Sequence, residues 1–178
     1  INARNRNELI DAVARVIDSG WYINGPEVSE FEAKFADYCG AKYCVGVGNG
    51  LDALVLVLRA WKELGIVKEG DEVLVPANTY IASILAITEN KLVPVLVEPN
   101  PLTFNINVDD LESFITKKTR VILPVHLYGR LAPMPEIMSI AKKHGLLVLE
   151  DAAQAHGAAL GAKRAGNFGD AAGFSFYP

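Results

Sequence analysis

Short apolar runs that alternate with helical patterns constrain the fold of this chain more than any other feature of its sequence. Strand-like runs lie at 43–47, 72–75, 92–97, 121–125, 146–149 and 171–176. Helical spacing of apolar residues is found at 5–19, 26–39, 51–64, 81–89, 108–115 and 135–144. This alternation predicts right-handed crossovers and a mostly parallel sheet with helices on both faces. We therefore expect a three-layer α/β/α fold.

The composition agrees with such a fold and argues against several functions. Hydrophobic residues make up 51% of the 178 residues, which suits parallel strands that are buried on both faces. The net charge of -4 and the sequence pI of about 5.4 argue against nucleic-acid binding, which requires a basic face. No apolar run reaches the length of a membrane span and no signal peptide opens the chain, so we expect no membrane association. Cys39 and Cys44 lack the spacing of a metal site, and we interpret both as small buried side chains in a reducing cytoplasm.

The ends of the chain predict that it is a piece of a longer protein. It begins at Ile1 rather than at a methionine, and it stops at Pro178 directly after an apolar run. A domain seldom ends just as it leaves a core strand. We therefore expect further chain beyond Pro178.

Polar and glycine-rich residues follow the strand-like runs, at the sheet edge where ligands of α/β proteins bind. Gly48, Asn49 and Gly50 precede a long helical pattern. The free backbone N–H groups of a helix start favour a phosphate there, although a turn of this kind is often only a turn.

A pair of carboxylates, Glu150 and Asp151, ends another strand-like run. We expect one of them to face inward, where it needs a cationic partner to stay ionised; a helix cap or a surface ion pair is the alternative. In the functional interpretation this carboxylate keeps a pyridine nitrogen protonated. Gln154 follows one turn later and lies near the same ligand in that interpretation.

Four further polar or aromatic residues remain open on spacing alone. Tyr80 is either a core aromatic or a ring that stacks on a flat ligand. Ser175 could be any serine at a strand end. His126 is more typical of a hydrogen-bonded core histidine than of a catalyst. The role of His156 is undecided.

Taken together and in order, nine stretches of the chain resemble the DegT/StrS family of sugar aminotransferases. This family belongs to the fold-type I enzymes that use pyridoxal 5′-phosphate (PLP). The stretches are 19–26, 31–32, 49–54, 70–73, 78–82, 124–129, 150–157, 169–171 and 174–178. The resemblance implies a sheet of the aspartate aminotransferase large-domain type. It further implies an N-terminal helix and active-site loop over residues 1–25 and a PLP-binding large domain over residues 26–178, incomplete at its C-terminal end.

The resemblance implies roles for the positions that match. Those expected to bind PLP are the backbone amides of Gly50 and Leu51 and the hydroxyl of Ser175 at the phosphate, Asp151 at the pyridinium nitrogen, Gln154 near the phenolic oxygen, and Tyr80 on the ring face. Those expected to bind the sugar nucleotide are Tyr22, Asn24, Gly25 and Tyr177. The lysine that forms the Schiff base is expected just after Pro178, so the resemblance places no catalytic residue in this chain, and the chain alone is expected to be inactive.

The function implied by the resemblance is transamination of a nucleotide-linked keto sugar, with glutamate as the amino donor, in a cytoplasmic homodimer. Such amino sugars enter polysaccharides such as O-antigen and S-layer glycans. The ending Ser175–Pro178 resembles the branch that aminates C3 of dTDP-linked 3-keto-6-deoxy sugars. Two alternatives are a PLP-dependent sugar dehydratase of the same family, in which histidine replaces the lysine, and a non-catalytic nucleotide-binding module with a doubly wound sheet.

Overall fold

The computed structural model describes residues 3–176. These residues form two compact units, and the division between the units lies between Gly46 and Val47. The predicted start of the PLP-binding domain at residue 26 is a functional boundary and stays a prediction.

The first unit contains the helices α1 (Arg6–Ser19) and α2 (Pro26–Cys39). Helix α1 ends at Gly20, which adopts the left-handed φ of 67°. Helix α2 begins with a proline, whose missing N–H costs no hydrogen bond in the first turn of a helix.

The apolar stripes of these two helices are less buried than their periodicity predicts. No residue of α1 is buried, and Phe31 and Tyr38 of α2 are exposed by 41% and 39%. The buried side chains of α2 are the smaller Ala36 and Cys39. Most residues of both stripes are therefore exposed or only partly buried.

The second unit contains three α-helices and seven strands. In chain order these are α3 (Gly50–Glu63), β1 (Glu72–Pro76), α4 (Ile81–Glu89), β2 (Val93–Val97), β3 (Thr119–Ile122), α5 (Met134–His144), β4 (Leu147–Asp151), β5 (Ala159–Leu160), β6 (Lys163–Arg164) and β7 (Ala171–Gly173). Five strands form one sheet in the order β2-β1-β3-β4-β7, and every neighbouring pair in it is parallel. Strands β5 and β6 form a separate antiparallel pair.

Two apolar clusters lie on opposite faces of the five-stranded sheet. Val73 and Val75 of β1 pack in one cluster with residues of α3 and α4. Leu74, between them, packs in the other cluster with residues of α5. This is the alternation of a strand whose side chains point in turn to opposite faces. The predicted three-layer α/β/α fold is confirmed.

Three predicted elements differ in the structure, and one of them is the run 171–176, which forms a strand only over Ala171–Gly173. The run 43–47 forms no strand, and Tyr43 and Val45 are each 75% exposed. A strand needs a neighbour to pair its backbone, and residues 3–176 provide none for this run; the N–H of Gly46 donates to the Glu32 side chain instead, at 2.7 Å.

The predicted helix 108–115 is reduced to a short 3-10 helix, Leu111–Phe114. Its first residues are engaged by side chains: the N–H of Asp109 donates to Asn107 Oδ1 at 3.3 Å. Local bonds of this type compete with helix formation.

Cys39 is buried, as predicted, whereas Cys44 is only partly buried. Burial, together with the nearby Glu32 carboxylate, raises the pKa of the Cys44 thiol. Within residues 3–176, no three His, Cys, Asp or Glu side chains are grouped so that they could hold a metal ion. None of the helices there has both the length and the apolar character needed to cross a membrane.

The packing of α3 on the sheet makes a prediction about stability. Leu58 is fully buried, whereas Leu56 on the same helix is 50% exposed. We expect Leu58→Ala to lower the free energy of unfolding by about 2–5 kcal/mol, because it leaves a cavity in the core. Leu56→Ala is the matched control and should cost clearly less in the same urea titration. Equal losses for the two variants would contradict this packing.

Candidate functional site

The sequence-predicted site residues of the second unit gather at one edge of the sheet. Asp151 is the last residue of β4 and pairs with Gly173, the last residue of β7. The N–H of Asp151 donates to Pro124 O at 2.9 Å, and Asp151 O accepts from the N–H of His126 at 3.0 Å. The end of β4 is therefore held on both sides by the neighbouring segments.

The Asp151 carboxylate is buried and is held by two hydrogen-bond donors. Its Oδ2 accepts from the Ser83 hydroxyl at 2.7 Å, and its Oδ1 accepts from the N–H of Ala153 at 3.2 Å. No lysine or arginine among residues 3–176 forms an ion pair with it. Burial raises the pKa of Asp151, and the two donors only partly offset that effect. A carboxylate in this setting would gain from a cationic N–H supplied by a ligand.

Glu150 is also buried, contrary to the expectation that only one of the two carboxylates would face inward. Its Oε1 accepts from the N–H groups of Phe168 and Gly169 at 2.7 and 2.8 Å. Its Oε2 accepts from the N–H of Gly166 at 3.0 Å and lies 2.8 Å from His126 Nε2. Burial acts to raise the pKa of Glu150, but these donors outweigh it, and the pKa is lowered. Consecutive strand residues point to opposite faces, so each carboxylate is buried in its own surroundings, and neither has the cationic partner that the sequence led us to expect.

His126 is a hydrogen-bonded core histidine, as predicted. Its Nδ1 accepts from the N–H of Ala132 at 3.1 Å and therefore carries no proton. The proton of the neutral ring then lies on Nε2 and is donated to Glu150. Because the side chain is fully buried and both nitrogens are engaged, His126 supports the fold at this sheet edge.

The start of α3 lies against Ser175. A Cβ built on Gly50 would lie 2.8 Å from the Cβ and 3.3 Å from the Oγ of Ser175. Asn49 caps the helix, since its Oδ1 accepts from the N–H of Asp52 at 2.9 Å. The N–H groups of Gly50 and Leu51 have no intrahelical partner, and no other residue in 3–176 accepts from them. Two free N–H groups and a nearby hydroxyl form a small cradle with the polarity that suits a phosphate.

Tyr80 lies at the N-terminal end of α4 and is 74% exposed. The interpretation of Tyr80 as a core aromatic is therefore wrong, whereas a role on a ligand ring stays a prediction. Its carbonyl accepts from the N–H of Ser83 at 3.2 Å, and Ser83 contacts Asp151. Tyr80 is thus tied to the same sheet edge.

Gln154 is oriented by the backbone of a neighbouring segment. Its Oε1 accepts from the N–H of Tyr128 at 2.8 Å. Tyr128 adopts a left-handed φ of 54°, which is uncommon for a residue with a side chain. This hydrogen bond leaves the NH₂ group of Gln154 as the end available to a ligand.

The remaining predicted residues belong to other parts of the sequence. Tyr22, Asn24 and Gly25 are in the first unit, where Tyr22 is 68% exposed and Asn24 has a left-handed φ of 50°. Tyr177 lies outside the described residues. His156, which the sequence left undecided, packs against the rings of Phe174 and Phe176.

Ser83 and Thr79 were missed as site residues by the sequence reasoning. The available signal was a serine in the first turn of an apolar helix, four residues after a threonine. Thr79 precedes α4, and only Ser83 lies on a face of the helix. Only the packing of α4 against the end of β4 shows that this face meets Asp151.

An open cavity of about 780 Å³ lies elsewhere in the second unit, and its lining includes Asn105, Arg130, Leu131 and Glu136. None of the residues predicted to bind a cofactor lines it. The cluster at the ends of β4 and β7 is therefore the stronger candidate for the site.

The parallel sheet with helices on both faces has the fold-type I architecture found in PLP-dependent aminotransferases. The chain belongs to the DegT/DnrJ/EryC1/StrS aminotransferase family, which it matches over residues 3–178.

Two curated relatives show how similar the chain is to members of this family. It is 58% identical over 176 residues to the dTDP-3-amino-3,6-dideoxy-alpha-D-galactopyranose transaminase of Aneurinibacillus thermoaerophilus, covering 99% of this chain and 47% of the relative. It is 50% identical over 173 residues to the dTDP-3-amino-3,4,6-trideoxy-alpha-D-glucose transaminase of Streptomyces venezuelae, covering 97% of this chain and 45% of the relative. The chain thus spans about half the length of these relatives.

Solved structures share the fold. The S. venezuelae DesV structure in complex with a ketimine intermediate superposes with a TM-score of 0.93 at 47% identity, covering 99% of this chain and 47% of that one. An aminotransferase of the same family from Brucella abortus superposes with a TM-score of 0.92 at 35% identity, covering 99% of this chain and 48% of that one.

The contacts of Glu150 predict a pH-dependent contribution to stability. The lowered pKa means that ionised Glu150 stabilises the fold above the ordinary glutamate pKa, and that this contribution is lost as the pH falls through the lowered value. We expect Glu150→Gln to lower the free energy of unfolding at pH 7 by about 2–5 kcal/mol, because buried donors lose their acceptor. The deficit should shrink in urea titrations at progressively lower pH. Glu63→Gln on the exposed part of α3 is the control, and a pH-independent deficit for Glu150→Gln would contradict the assignment.

Asp151 is expected to contribute to stability with the opposite sign to Glu150, because its pKa is raised rather than lowered. Its raised pKa means that ionisation of Asp151 opposes folding when no cation is bound. In Asp151→Asn, the amide NH₂ can donate to Ser83 while Oδ1 still accepts from Ala153. We therefore expect the cofactor-free variant to unfold at the same or a higher urea concentration than the unmodified protein at pH 7. A clear loss of stability would show that Asp151 is stabilised by a partner beyond those described.

Proposed function

We propose that the full-length protein is a PLP-dependent aminotransferase that transfers an amino group to a keto sugar carried on a nucleotide. One observation carries the proposal: Asp151 is a buried carboxylate without a cation among residues 3–176, at the same sheet edge as the cradle of Gly50, Leu51 and Ser175. A pyridinium ring that bears a phosphate satisfies both groups at once. When bound, PLP supplies an electron sink for the carbon that gains or loses the amine.

Asp151 has the chemical role of keeping a ring nitrogen protonated. Its two hydrogen bonds leave lone pairs of the carboxylate available for a ring N–H. An opposite charge within contact distance lowers the pKa of a buried carboxylate. The ionised form of Asp151 and the protonated form of the ring would therefore stabilise each other.

The phosphate is held by backbone and hydroxyl donors rather than by a cationic side chain. The N–H groups of Gly50 and Leu51 point out of the start of α3, and the helix dipole favours an anion at that end. Glycine is required at position 50 because any Cβ there would collide with Ser175.

Tyr80 and Gln154 complete the proposed cofactor contacts. The exposed ring of Tyr80 is free to lie on a face of the cofactor, and the NH₂ group of Gln154 is oriented to donate to a phenolic oxygen. The lysine that holds PLP covalently is proposed to follow Pro178. The residue at that position also decides between the two reactions of the family: a lysine would support transamination, and a histidine the dehydratase reaction.

For the substrate, we propose a dTDP-linked 3-keto-6-deoxy sugar with glutamate as the amino donor, processed by a homodimer. The two relatives named above support this, since both are named as transaminases of dTDP-3-amino sugars. Tyr22, Asn24, Gly25 and Tyr177 are proposed to contact the sugar nucleotide.

The test uses the full-length protein. PLP added to the cofactor-free protein should give a visible absorbance band of protein-bound cofactor, and glutamate should then support amination of a dTDP-3-keto-6-deoxyhexose. Asp151→Asn should lower the amination rate at least 100-fold, because pairing with the ring nitrogen is lost; a tenfold change corresponds to about 1.4 kcal/mol. An unmodified protein that binds no PLP, or an Asp151→Asn variant with unchanged turnover, would overturn the proposal.

The phosphate cradle makes a separate prediction. Ser175→Ala should weaken PLP binding by roughly 10- to 100-fold, the range for loss of one hydrogen bond to a charged group. Its affinity for pyridoxal, which lacks the phosphate, should stay unchanged. Equilibrium dialysis of the cofactor-free full-length variants measures both affinities, with Ser113→Ala as a surface control. Equal losses for PLP and pyridoxal would place Ser175 away from the phosphate.

A further inference from the structure

A chain of two hydroxyl groups leads to the buried Asp151 carboxylate. Thr79 Oγ1 lies 2.7 Å from Ser83 Oγ, and Ser83 Oγ lies 2.7 Å from Asp151 Oδ2. Ser83 is 1% exposed and Asp151 is 7% exposed. The bond between Ser83 and Asp151 is therefore shielded from water, where a hydrogen bond to a charged group has its largest effect. The bond between Thr79 and Ser83 is partly buried.

The charge on Asp151 determines which group donates and which accepts in these two hydrogen bonds. An ionised carboxylate only accepts, so the Ser83 hydroxyl donates to Asp151 and must itself accept from another group. The Thr79 hydroxyl is the group in reach, and it donates to Ser83. If Asp151 were protonated, its own O–H would donate to Ser83 and the order would reverse. The order from Thr79 to Ser83 to Asp151 belongs to the ionised state.

Local geometry explains why these residues meet. Thr79 precedes α4, and Ser83 lies in the first turn of the helix, four residues on. The N-terminal end of a helix carries partial positive charge, and this end of α4 faces the end of β4 through Ser83. Of the titratable groups nearest to Asp151, His126 uses Nδ1 to accept a backbone N–H, and Glu150 points to the other face of β4.

We propose that Ser83 and Thr79 are positioning residues that keep Asp151 ionised and oriented toward the ring nitrogen of the cofactor, an inference that rests on the proposed function. With the cofactor bound, one proton would be shared between the ring nitrogen and an Asp151 oxygen. Loss of the Ser83 hydroxyl makes the carboxylate more basic, so the proton moves from nitrogen toward oxygen. A bound ring would then be a weaker electron sink, although every residue proposed to touch the cofactor would still be present.

The inference is tested in the full-length protein with two pairs of variants. Ser83→Ala removes the donor to Asp151, and Ser83→Thr retains it. Thr79→Val removes the donor to Ser83 with little change of shape, and Thr79→Ser retains it. The second pair keeps the test informative if the change at the fully buried Ser83 prevents folding.

We expect Ser83→Ala to lower kcat and the affinity of the cofactor-free protein for PLP by roughly tenfold each, the size of one hydrogen bond to a charged group. The KM for the keto sugar should not change. As the pH is lowered, the activity of Ser83→Ala should begin to fall at a higher pH than that of the unmodified protein, because Asp151 is harder to ionise in the variant. Thr79→Val should produce the same changes at a smaller size, and the Ser and Thr variants that keep a hydroxyl should stay within about threefold of the unmodified protein.

The double variant separates positioning from general structural damage. In the Asp151→Asn background, Ser83→Ala should cause no further loss of PLP affinity, because the hydroxyl acts through the carboxylate. An equal loss of PLP affinity in both backgrounds would overturn the inference. It would also be overturned if Ser83→Ala and Thr79→Val left kcat, PLP affinity and the pH profile unchanged. A failure of the proposed function is distinct from these results, since the unmodified protein would then bind no PLP or Asp151→Asn would have no effect.

Discussion

The burial of two adjacent carboxylates at the end of β4 is the constraint on which the rest of this sheet edge depends. Removing a carboxylate from water costs several kcal/mol unless donors replace the lost hydration. Glu150 and Asp151 point to opposite faces of the strand, so each needs its own set of donors. The loops and helix ends around β4 are arranged to supply them.

The two carboxylates are satisfied in different ways. Glu150 receives three backbone N–H groups from the segment 166–169 and the Nε2 proton of His126. It thereby fixes the segment that leads into β7 and on to Ser175, beside Gly50. Asp151 receives only a hydroxyl and one N–H. Its raised pKa shows that the described residues compensate the negative charge only in part. A perturbed pKa of this kind is typical of groups at ligand-binding sites.

The sequence was a good guide to the elements and to the general location of the site. Helices α3 and α4 lie within one residue of their predicted bounds, because apolar spacing is a local signal. The run 43–47 has strand-like residues but no neighbouring strand to pair with, and pairing is not a local property. Asp151 could be located at a strand end, but that Glu150 is buried as well could not be foreseen, since its donors come from residues 16 to 19 positions later. Ser83 was missed for the same reason, because its partner lies 68 positions away.

The sequence by itself determined the α/β class, the order of most helices and strands, the resemblance to a family and the strand ends at which polar residues gather. Hydrophobic periodicity, glycine and proline positions, and ordered motifs are all properties of short segments. Only the tertiary structure decided which donors reach each carboxylate, that Gly50 lies against Ser175, and that the hydroxyl of Ser83 meets Asp151. These contacts join segments far apart in the chain, and the energies involved depend on burial, which exists only once the sheet and its helices have packed.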